Sequence, residues 1–170
     1  MDIFALNNFV SLNNLSCEVL IKSNIDFANR IYDEAKILDE YEKAGRITDK
    51  IDVQHKKYDI MRTFLWINTL KTKEICKENS IHTIVYLYNF NTNDLTEKAT
   101  NSVWSKLLVD LKETRGDEIV LIPIAVDSNI IALNSILESY NIQQYPVLII
   151  DNQDVVKELS SVKELEKYLS

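Results

Sequence analysis

Cysteine and histidine are the residues of this chain best suited to chemistry, and both are scarce. The 170 residues include two cysteines, Cys17 and Cys76, and two histidines, His55 and His82. The cysteines are too far apart in sequence for a CxxC redox pair or a local zinc knuckle. The histidines have no partner at the HxxE or HxxH spacing typical of metal sites. The sequence therefore predicts no metal site and no cofactor.

Three explanations of the cysteines remain open. Cys17 and Cys76 lie among apolar residues in segments with a helical pattern. They are either two small buried apolar residues or one structural disulfide, and a disulfide would indicate an oxidising compartment. A third explanation, in which one of them is an unconventional redox thiol, is disfavoured because buried thiols are inert.

Composition excludes several classes of function. The net charge is −7 and the pI about 4.9, so the surface repels phosphate backbones and nucleic-acid binding is not expected. Lys and Arg are spread out, and the longest apolar runs are much shorter than the ~20 residues of a membrane span. Two glycines are too few for a Gly-rich phosphate loop. We expect no membrane insertion by this segment, although an anchor removed before Met1 would leave no trace.

Residues 1–80 have the pattern of a helical domain. Apolar residues at 4–15 begin a first helix, which continues weakly to about residue 20. Ser23 and Asp26 fit a capping box that starts a second helix, and Gly45 fits the position just past its end. A broad apolar stripe at 53–75 predicts a third helix. Because only a short loop joins them, the second and third helices should form an antiparallel hairpin.

Residues 81–170 alternate between strand and helix patterns. The β-branched and aromatic run at 83–89 predicts a strand, and residues 95–114 predict the helix that follows. Residues 119–126 predict a second strand that is apolar on both faces, as a central parallel strand is. Asp127 or Ser128 is predicted to cap the next helix, and this role explains Asp127 better than a place in a cleft.

The end of the chain predicts a hairpin and a last helix. The second helix of this half closes at Asn141, which tolerates a left-handed conformation. Residues 147–150 and 155–159 predict two strands joined by a turn at 152–153, and Ser161 is predicted to cap the final helix. Pro146 stands directly before the first of these strands, a position where the missing N–H of proline is tolerated.

The order βαβαββα resembles the thioredoxin fold. Two strands joined by a helix pair in parallel through a right-handed crossover, and the last two strands form an antiparallel hairpin. The Tyr145-Pro146 step stands where that family has its cis-proline, and X-Pro is the bond that can be cis at modest cost. We therefore predict a cis bond here. The resemblance implies an α/β, thioredoxin-like domain at 81–170, preceded by an all-α helical domain at 1–80.

The redox motif of that family is absent. In a working thioredoxin a CxxC follows the first strand, and here the position holds Asn91, Thr92, Asn93 and Asp94. Thiol–disulfide exchange requires a thiolate, which none of them supplies. Asp94, with Glu97 three residues later, fits a helix N-cap and capping box. Enzymatic activity by the family mechanism is therefore not expected.

Without CxxC, the function that the resemblance still implies is peptide binding in a groove. In the redox family the backbone beside the cis-proline pairs with a substrate chain, which is a form of strand addition and needs no cysteine. The resemblance implies that residues 91–95 with Tyr145 and Pro146 form such a groove for a protein or peptide partner. Other aromatic residues are candidates to border it: Tyr86, Tyr88 and Tyr140.

A weaker resemblance concerns the whole layout. A helical hairpin before a thioredoxin-like domain, with the run from Phe64 to Asn68 and a cysteine near the end of the last helix, is similar to uncharacterised archaeal proteins. Those proteins often retain CxxC and are often membrane-anchored, so this chain departs from them in its loop. The resemblance implies an extracytoplasmic setting, in which Cys17 and Cys76 would be bonded.

Three functions thus compete. The leading hypothesis is a redox-inactive thioredoxin-like module that binds a peptide or serves a structural role. The alternative is a thiol–disulfide oxidoreductase that uses Cys17 or Cys76. A third is an interaction protein whose helical domain does the binding, with the thioredoxin-like part as a scaffold.

Overall fold

A computed structural model describes residues 16–44, 48–77 and 81–170 of the chain. The chain divides into two compact units, Met1–Asn79 and Ser80–Ser170. The first is helical in its described part, and the second is a mixed α/β unit built on a four-stranded sheet.

Two long helices make up the described part of the first unit. Helix α1 spans Cys17–Lys43 and helix α2 spans Thr48–Ile75. Cys17 is bonded to Cys76, and the Tyr58 hydroxyl donates to the Glu34 carbonyl at 3.2 Å. Early residues of α1 thus meet late residues of α2, so the pair is antiparallel, as predicted. Large apolar side chains of both helices are buried: Leu20, Ile31, Leu65 and Trp66.

The predicted helix start at Ser23 is wrong. Helix α1 is continuous through this segment, where Lys22 and Asp26 form an ion pair of 2.8 Å one turn apart. Asn24 is buried, and its side-chain amide donates to the Thr72 hydroxyl at 2.9 Å. Asn24, a residue type that often caps helices, instead joins α1 to α2 through this bond. The predicted first helix at 4–15 and the predicted stop at Gly45 lie outside the described residues.

The second unit has the predicted order of strands and helices. Its strands are β1 (His82–Tyr88), β2 (Ile119–Ala125), β3 (Val147–Ile150) and β4 (Asp154–Val156). Its helices are α3 (Leu95–Arg115), α4 (Ile131–Tyr140) and α5 (Val162–Glu166). The sheet order is β2-β1-β3-β4. Strands β1 and β2 are parallel, and β3 is antiparallel to both β1 and β4.

The core of this unit lies where helices pack on the sheet. Alternate residues of β1, Ile84 and Tyr86, join one buried cluster with Trp104 of α3 and Leu165 of α5. The intervening residues of β1 are equally buried, so the strand is covered on both faces. This double burial explains the nearly continuous apolar runs of the strands.

Strand β2 lies at the edge of the four-stranded sheet, so the expectation of a central strand is wrong. Pro123 stands in the middle of β2, in register with Tyr86 of β1. Proline has no N–H for a ladder and is found on edge strands. Apolar residues on both sides of a strand indicate that both of its faces are covered. They do not indicate how many neighbouring strands pair with its edges.

The β3–β4 hairpin is tighter than predicted. Three residues, Asp151 to Gln153, separate the paired Ile150 and Asp154, and the first two have positive φ, of 51° and 61°. Asn and Asp tolerate positive φ and are typical of hairpin turns. Gln153 already pairs back, since its N–H donates to the Ile150 carbonyl at 3.0 Å. The predicted strand at 155–159 shrinks to Asp154–Val156, because Leu159 joins the core without strand pairing.

Helix ends agree with the predictions only in part. Asn141 takes the left-handed conformation that closes α4, as predicted, and Gly116 with φ 57° closes α3. Ser161 holds the N-cap position of α5, but its hydroxyl makes no capping bond. Instead the Glu164 carboxylate accepts the Ser160 N–H at 2.8 Å, and this bond lowers the pKa of Glu164.

Candidate functional site

Three loops meet at one end of the sheet. The parallel strands β1 and β2 end side by side, with Tyr88 opposite Ala125. Strand β3 runs the other way and begins there, with Val147 opposite Leu87. The loops at 89–94 and 126–130 therefore lie at the same end as the last residues of the 141–146 loop, Tyr145 and Pro146, which is the carboxyl end of the parallel strands. Open α/β sheets bind ligands at this end, and we call it the candidate site.

Asp127 secures the first of these loops. One carboxylate oxygen accepts the Phe90 N–H at 2.9 Å, and the other accepts the Asn91 N–H at 2.7 Å. Helix α4 begins only at Ile131 and has no side-chain cap. The predicted capping role of Asp127 or Ser128 is therefore wrong. A carboxylate after one strand is used to hold the loop after its neighbour, a long-range contact that sequence spacing does not reveal.

Asp94 caps helix α3, as predicted. Its carboxylate accepts the N–H groups of Thr96 at 2.7 Å and Glu97 at 3.2 Å. The reciprocal half of the predicted capping box is wrong, because the Asp94 N–H donates to the Thr92 hydroxyl at 3.2 Å. The Glu97 carboxylate is left to accept the Asn89 amide at 2.7 Å and the Thr92 hydroxyl.

Hydrogen bonds therefore hold the loop at nearly every residue. The Asn101 amide adds one more, to the Asn89 carbonyl at 3.1 Å. The carboxylates of Asp94, Glu97 and Asp127 all accept protein donors, so their charges serve the loop's conformation. Asn91 to Asp94 contribute amides, a hydroxyl and a carboxylate, and none of these is a nucleophile comparable to a thiolate.

The third loop presents backbone without partners. The Tyr145–Pro146 peptide bond is cis, as predicted. Within the described part of the chain, the backbone of residues 142–145 makes no hydrogen bond. Tyr145 and Pro146 are half-buried, while Gln143 and Gln144 are exposed. Burial raises the pKa of the Tyr145 phenol, so at neutral pH it is a neutral group that can donate a hydrogen bond.

Two exposed aliphatic side chains stand at the same end of the sheet. Leu95, the first residue of α3, is 80% exposed, and Ile131, the first residue of α4, is 83% exposed. They exceed every other large apolar residue among those described. Sequence reasoning missed Ile131, because an apolar residue in a helical segment is expected to be buried.

Most of the aromatic candidates are not at this site. Tyr86 is buried between Tyr88 and Trp104, with ring centroids 5.0 and 6.2 Å away. Burial raises the pKa of Tyr86 to about 12. Tyr140 donates to the Asn152 carbonyl at 3.1 Å, in the turn at the opposite end of the sheet. Tyr86 belongs to the core and Tyr140 to the hairpin turn, which leaves Tyr145 as the aromatic residue of the third loop.

The cysteines lie in the other unit and are bonded to each other. Cys17 and Cys76 form a disulfide with a Cα–Cα distance of 5.6 Å, and Cys76 is 3% exposed. Because the sequence has no further cysteine, no free thiol remains. The redox alternative would require this bond to open.

Metal and membrane functions gain no support from the described residues. Among them, no group of three or more His, Cys, Asp or Glu side chains could hold a metal ion. His82 instead pairs with Asp151, its Nδ1 lying 2.7 Å from a carboxylate oxygen, at the end of the sheet away from the candidate site. No helix in the described ranges is both long enough and apolar enough to cross a membrane.

Neither a protein-family model nor a curated protein matches the sequence.

Proposed function

We propose that residues 81–170 form a thioredoxin-like domain without thiol chemistry, which binds an extended peptide at the candidate site. The strand order β2-β1-β3-β4, with β1 and β2 parallel and the other pairs antiparallel, supports the fold. A helix follows each of β1 and β2, and a short helix ends the chain. The disulfide in the helical unit supports an oxidising, extracytoplasmic setting.

The unpaired backbone at 142–145 is the observation that carries the binding proposal. Exposed backbone N–H and C=O groups that have no partner within the protein are solvated, and they are free to pair with another chain. This segment leads directly into β3, whose first residue lies at the end of the sheet where two loops converge. An extended peptide that pairs with this segment gains main-chain hydrogen bonds of the strand-addition kind.

The side chains around this backbone indicate which peptide fits. Leu95 and Ile131 offer apolar contacts, and alternate side chains of an extended peptide fall on one side of its backbone. Residues 81–170 carry thirteen acidic and seven basic residues, so the unit attracts cations. The partner that fits is an extended segment with apolar residues at alternate positions and basic residues between them.

A peptide of about six residues, with Val at alternate positions and Lys between them, is expected to bind the full chain. Two-dimensional NMR titration should shift the amide signals of residues 142–145 and 147 first. Changing Leu95 and Ile131 together to Ser is expected to weaken binding at least about tenfold, because apolar contact is lost from both sides. The matched control is Val103→Ser, an equally mild change at an exposed position of α3.

Two outcomes contradict the binding proposal. One is binding that shifts signals elsewhere and leaves residues 142–147 unchanged. The other is a Leu95→Ser/Ile131→Ser variant that binds as well as the Val103→Ser control. A scrambled peptide with the same composition separates strand pairing from general attraction between basic peptide and acidic protein.

We expect no thiol–disulfide exchange activity. The loop at 91–94 has no thiol, and both cysteines are held in one bond in the other unit. In an insulin-reduction assay with dithiothreitol, the rate should equal that of the reductant alone. Turnover above this background that disappears in Cys17→Ser and Cys76→Ser variants would establish the redox alternative instead.

A further inference from the structure

In the described part of the chain, the four-stranded sheet has two outer edges, which are formed by β2 and β4. The backbone groups along an outer edge have no strand to pair with, so they can pair with the edge of another molecule. Strand β4 has the three residues Asp154–Val156, and very short edge strands limit such pairing. Strand β2 has the seven residues Ile119–Ala125, which are enough for another strand to pair along it. The edge of β2 is therefore the one that needs protection.

Alternate residues of β2 point their backbone groups outward. The Thr83 carbonyl accepts the N–H of the residue after β3 at 2.8 Å, so Thr83 and every second residue after it in β1 point toward β3. The residues between them, which include Ile84 and Tyr86, point toward β2. In a parallel ladder each of these bonds to the residues on either side of its Cα partner. Because Leu121 is the partner of Ile84 and Pro123 is the partner of Tyr86, these two residues point away from β1.

The first residue on this outer edge, Ile119, is already occupied. Its N–H donates to the Gly116 carbonyl in the short turn before β2. Its carbonyl accepts the Lys112 ammonium at 2.7 Å, and the same ammonium donates to the Gly116 carbonyl at 2.8 Å. Burial lowers the pKa of Lys112, and Asp117 at 3.9 Å opposes that shift. Burying a charged group is unfavourable, so the bonds at the edge explain why a lysine is held here.

Pro123 removes a donor from the middle of the same edge. Proline has no N–H, and because Pro123 points outward, β2 loses no bond to β1. Between these two positions, Leu121 keeps an outward N–H and an outward carbonyl, and neither has a partner within the described chain. Along residues 119–123, the described structure thus leaves one outward N–H free.

We propose that Lys112 and Pro123 close the outer edge of β2 to pairing with the same edge of a second copy of this chain. Two identical chains usually meet about a two-fold axis, which makes their two edges antiparallel. Residues that face each other in a hydrogen-bonded pair of such a ladder exchange two bonds. Closure of this edge goes beyond peptide binding at the candidate site and does not depend on it.

The two symmetric registers closest to the free N–H are both blocked. With the axis at Leu121, each Ile119 faces Pro123 of the other copy. That pair exchanges no bond, because the backbone groups of Ile119 are occupied and Pro123 has no N–H. The bonds of the central Leu121 pair remain, and they are too few to offset the freedom lost on association. With the axis at Pro123, the central pair has no N–H to exchange, and its two carbonyls face each other without a donor.

Amide hydrogen exchange in the unchanged chain tests the orientation of the edge. The N–H groups of Ile122 and Ile124 pair with β1, so they should exchange at least about tenfold more slowly than the N–H of Leu121. Exchange at Leu121 should not depend on protein concentration, since no second copy covers it. A Leu121 amide as slow as its two neighbours, or one that slows as the concentration rises, overturns the proposal.

Opening the edge should create the contact that the two residues prevent. In a Pro123→Val/Lys112→Met variant the missing N–H and the occupied carbonyl both become available. We expect its Leu121 amide to exchange at least about tenfold more slowly at millimolar than at micromolar protein concentration. Sedimentation equilibrium should show the mass rise from 19.7 kDa toward twice that value. The control is Lys106→Met, which removes a lysine charge at an exposed position of the same helix and should change neither result.

Pro123→Val alone decides the matter if the loss of Lys112 disturbs folding. It returns an N–H to the edge and leaves the bonds of Lys112 in place, so the register with its axis at position 123 becomes available. We expect weaker association than in the double variant, again with slowed exchange at Leu121. Unchanged fluorescence of the buried Trp104 shows that the unit remains folded. A folded variant whose Leu121 amide exchanges equally fast at every concentration overturns the proposal.

Discussion

Removing the Cys17–Cys76 disulfide is expected to lower the free energy of unfolding of the helical unit by about 4 kcal/mol. The bond spans 59 residues in sequence, and in the chain-entropy model a loop of that length contributes about this much. It ties the first residue of α1 to the residue that follows α2. Without the bond, what holds these two helix ends together among the described residues is the contact between the helices.

That contact is unusually polar, which makes the bond more important. The buried residues of α2 include Thr63, Thr69 and Thr72, which are between 2% and 6% exposed. All three hydroxyls donate to carbonyls of their own helix. Such bonds satisfy the hydroxyl without joining the two helices. The Asn24–Thr72 bond does join them, but a single neutral hydrogen bond contributes only about 1 kcal/mol.

The two tryptophans allow each unit to be followed by itself. Trp66 is fully buried in α2, and Trp104 is 4% exposed in α3. Urea unfolding of a Cys17→Ser/Cys76→Ser variant, followed by fluorescence, should show an early transition for Trp66 and an unchanged one for Trp104. Trp104→Phe and Trp66→Phe backgrounds separate the two signals. A Trp66 transition at the same urea concentration as in the bonded protein would contradict the expected contribution of the disulfide.

Strong local patterns explain the predictions that agree with the structure. The strands β1 and β3 are short runs of β-branched and aromatic residues between polar loops, and few other structures suit such runs. Asp94 caps a helix because a polar residue before an apolar periodic segment satisfies free N–H groups, whatever surrounds it. In both cases the determining contacts lie within a few residues of sequence.

The predictions that differ from the structure depend on contacts distant in sequence. Ser23 looked like a helix start, but the bond from its neighbour Asn24 to Thr72 belongs to a helix interior. Asp127 looked like a cap, but it binds a loop 36 residues earlier. The position of β2 at the edge is likewise a property of the whole sheet, which the residues of one strand do not specify.

At the candidate site too, features set by local sequence were predicted, and features set by distant contacts were not. Its loop at 91–94 and the Tyr145–Pro146 step were identified from the sequence, because their place in the order of elements locates them. The unpaired backbone at 142–145 was not, since any segment's pairing depends on what lies beside it. The exposure of Ile131 could not be derived either, because an apolar residue in a helix is buried more often than not.

Asp127→Ala is expected to loosen the loop at 89–94 and to lower the free energy of unfolding by about 1–2 kcal/mol. The change removes both carboxylate oxygens and leaves the N–H groups of Phe90 and Asn91 without their acceptors. Hydrogen bonds to charged groups contribute about 1.5–3 kcal/mol, and the exposure of Asp127 reduces that value because water replaces part of the loss.

Amide hydrogen exchange measures this effect at the two groups concerned. In the unchanged protein the Phe90 and Asn91 amides should exchange slowly, and in Asp127→Ala they should exchange at least about tenfold faster. Asp127→Asn keeps one acceptor oxygen and should give an intermediate result. Asp110→Ala, at an exposed position of α3, is the control for loss of a carboxylate alone. Equal exchange in all four proteins would show that Asp127 does not hold the loop. If the loop does loosen, peptide affinity should fall with it, because a mobile loop loses more conformational freedom when it binds.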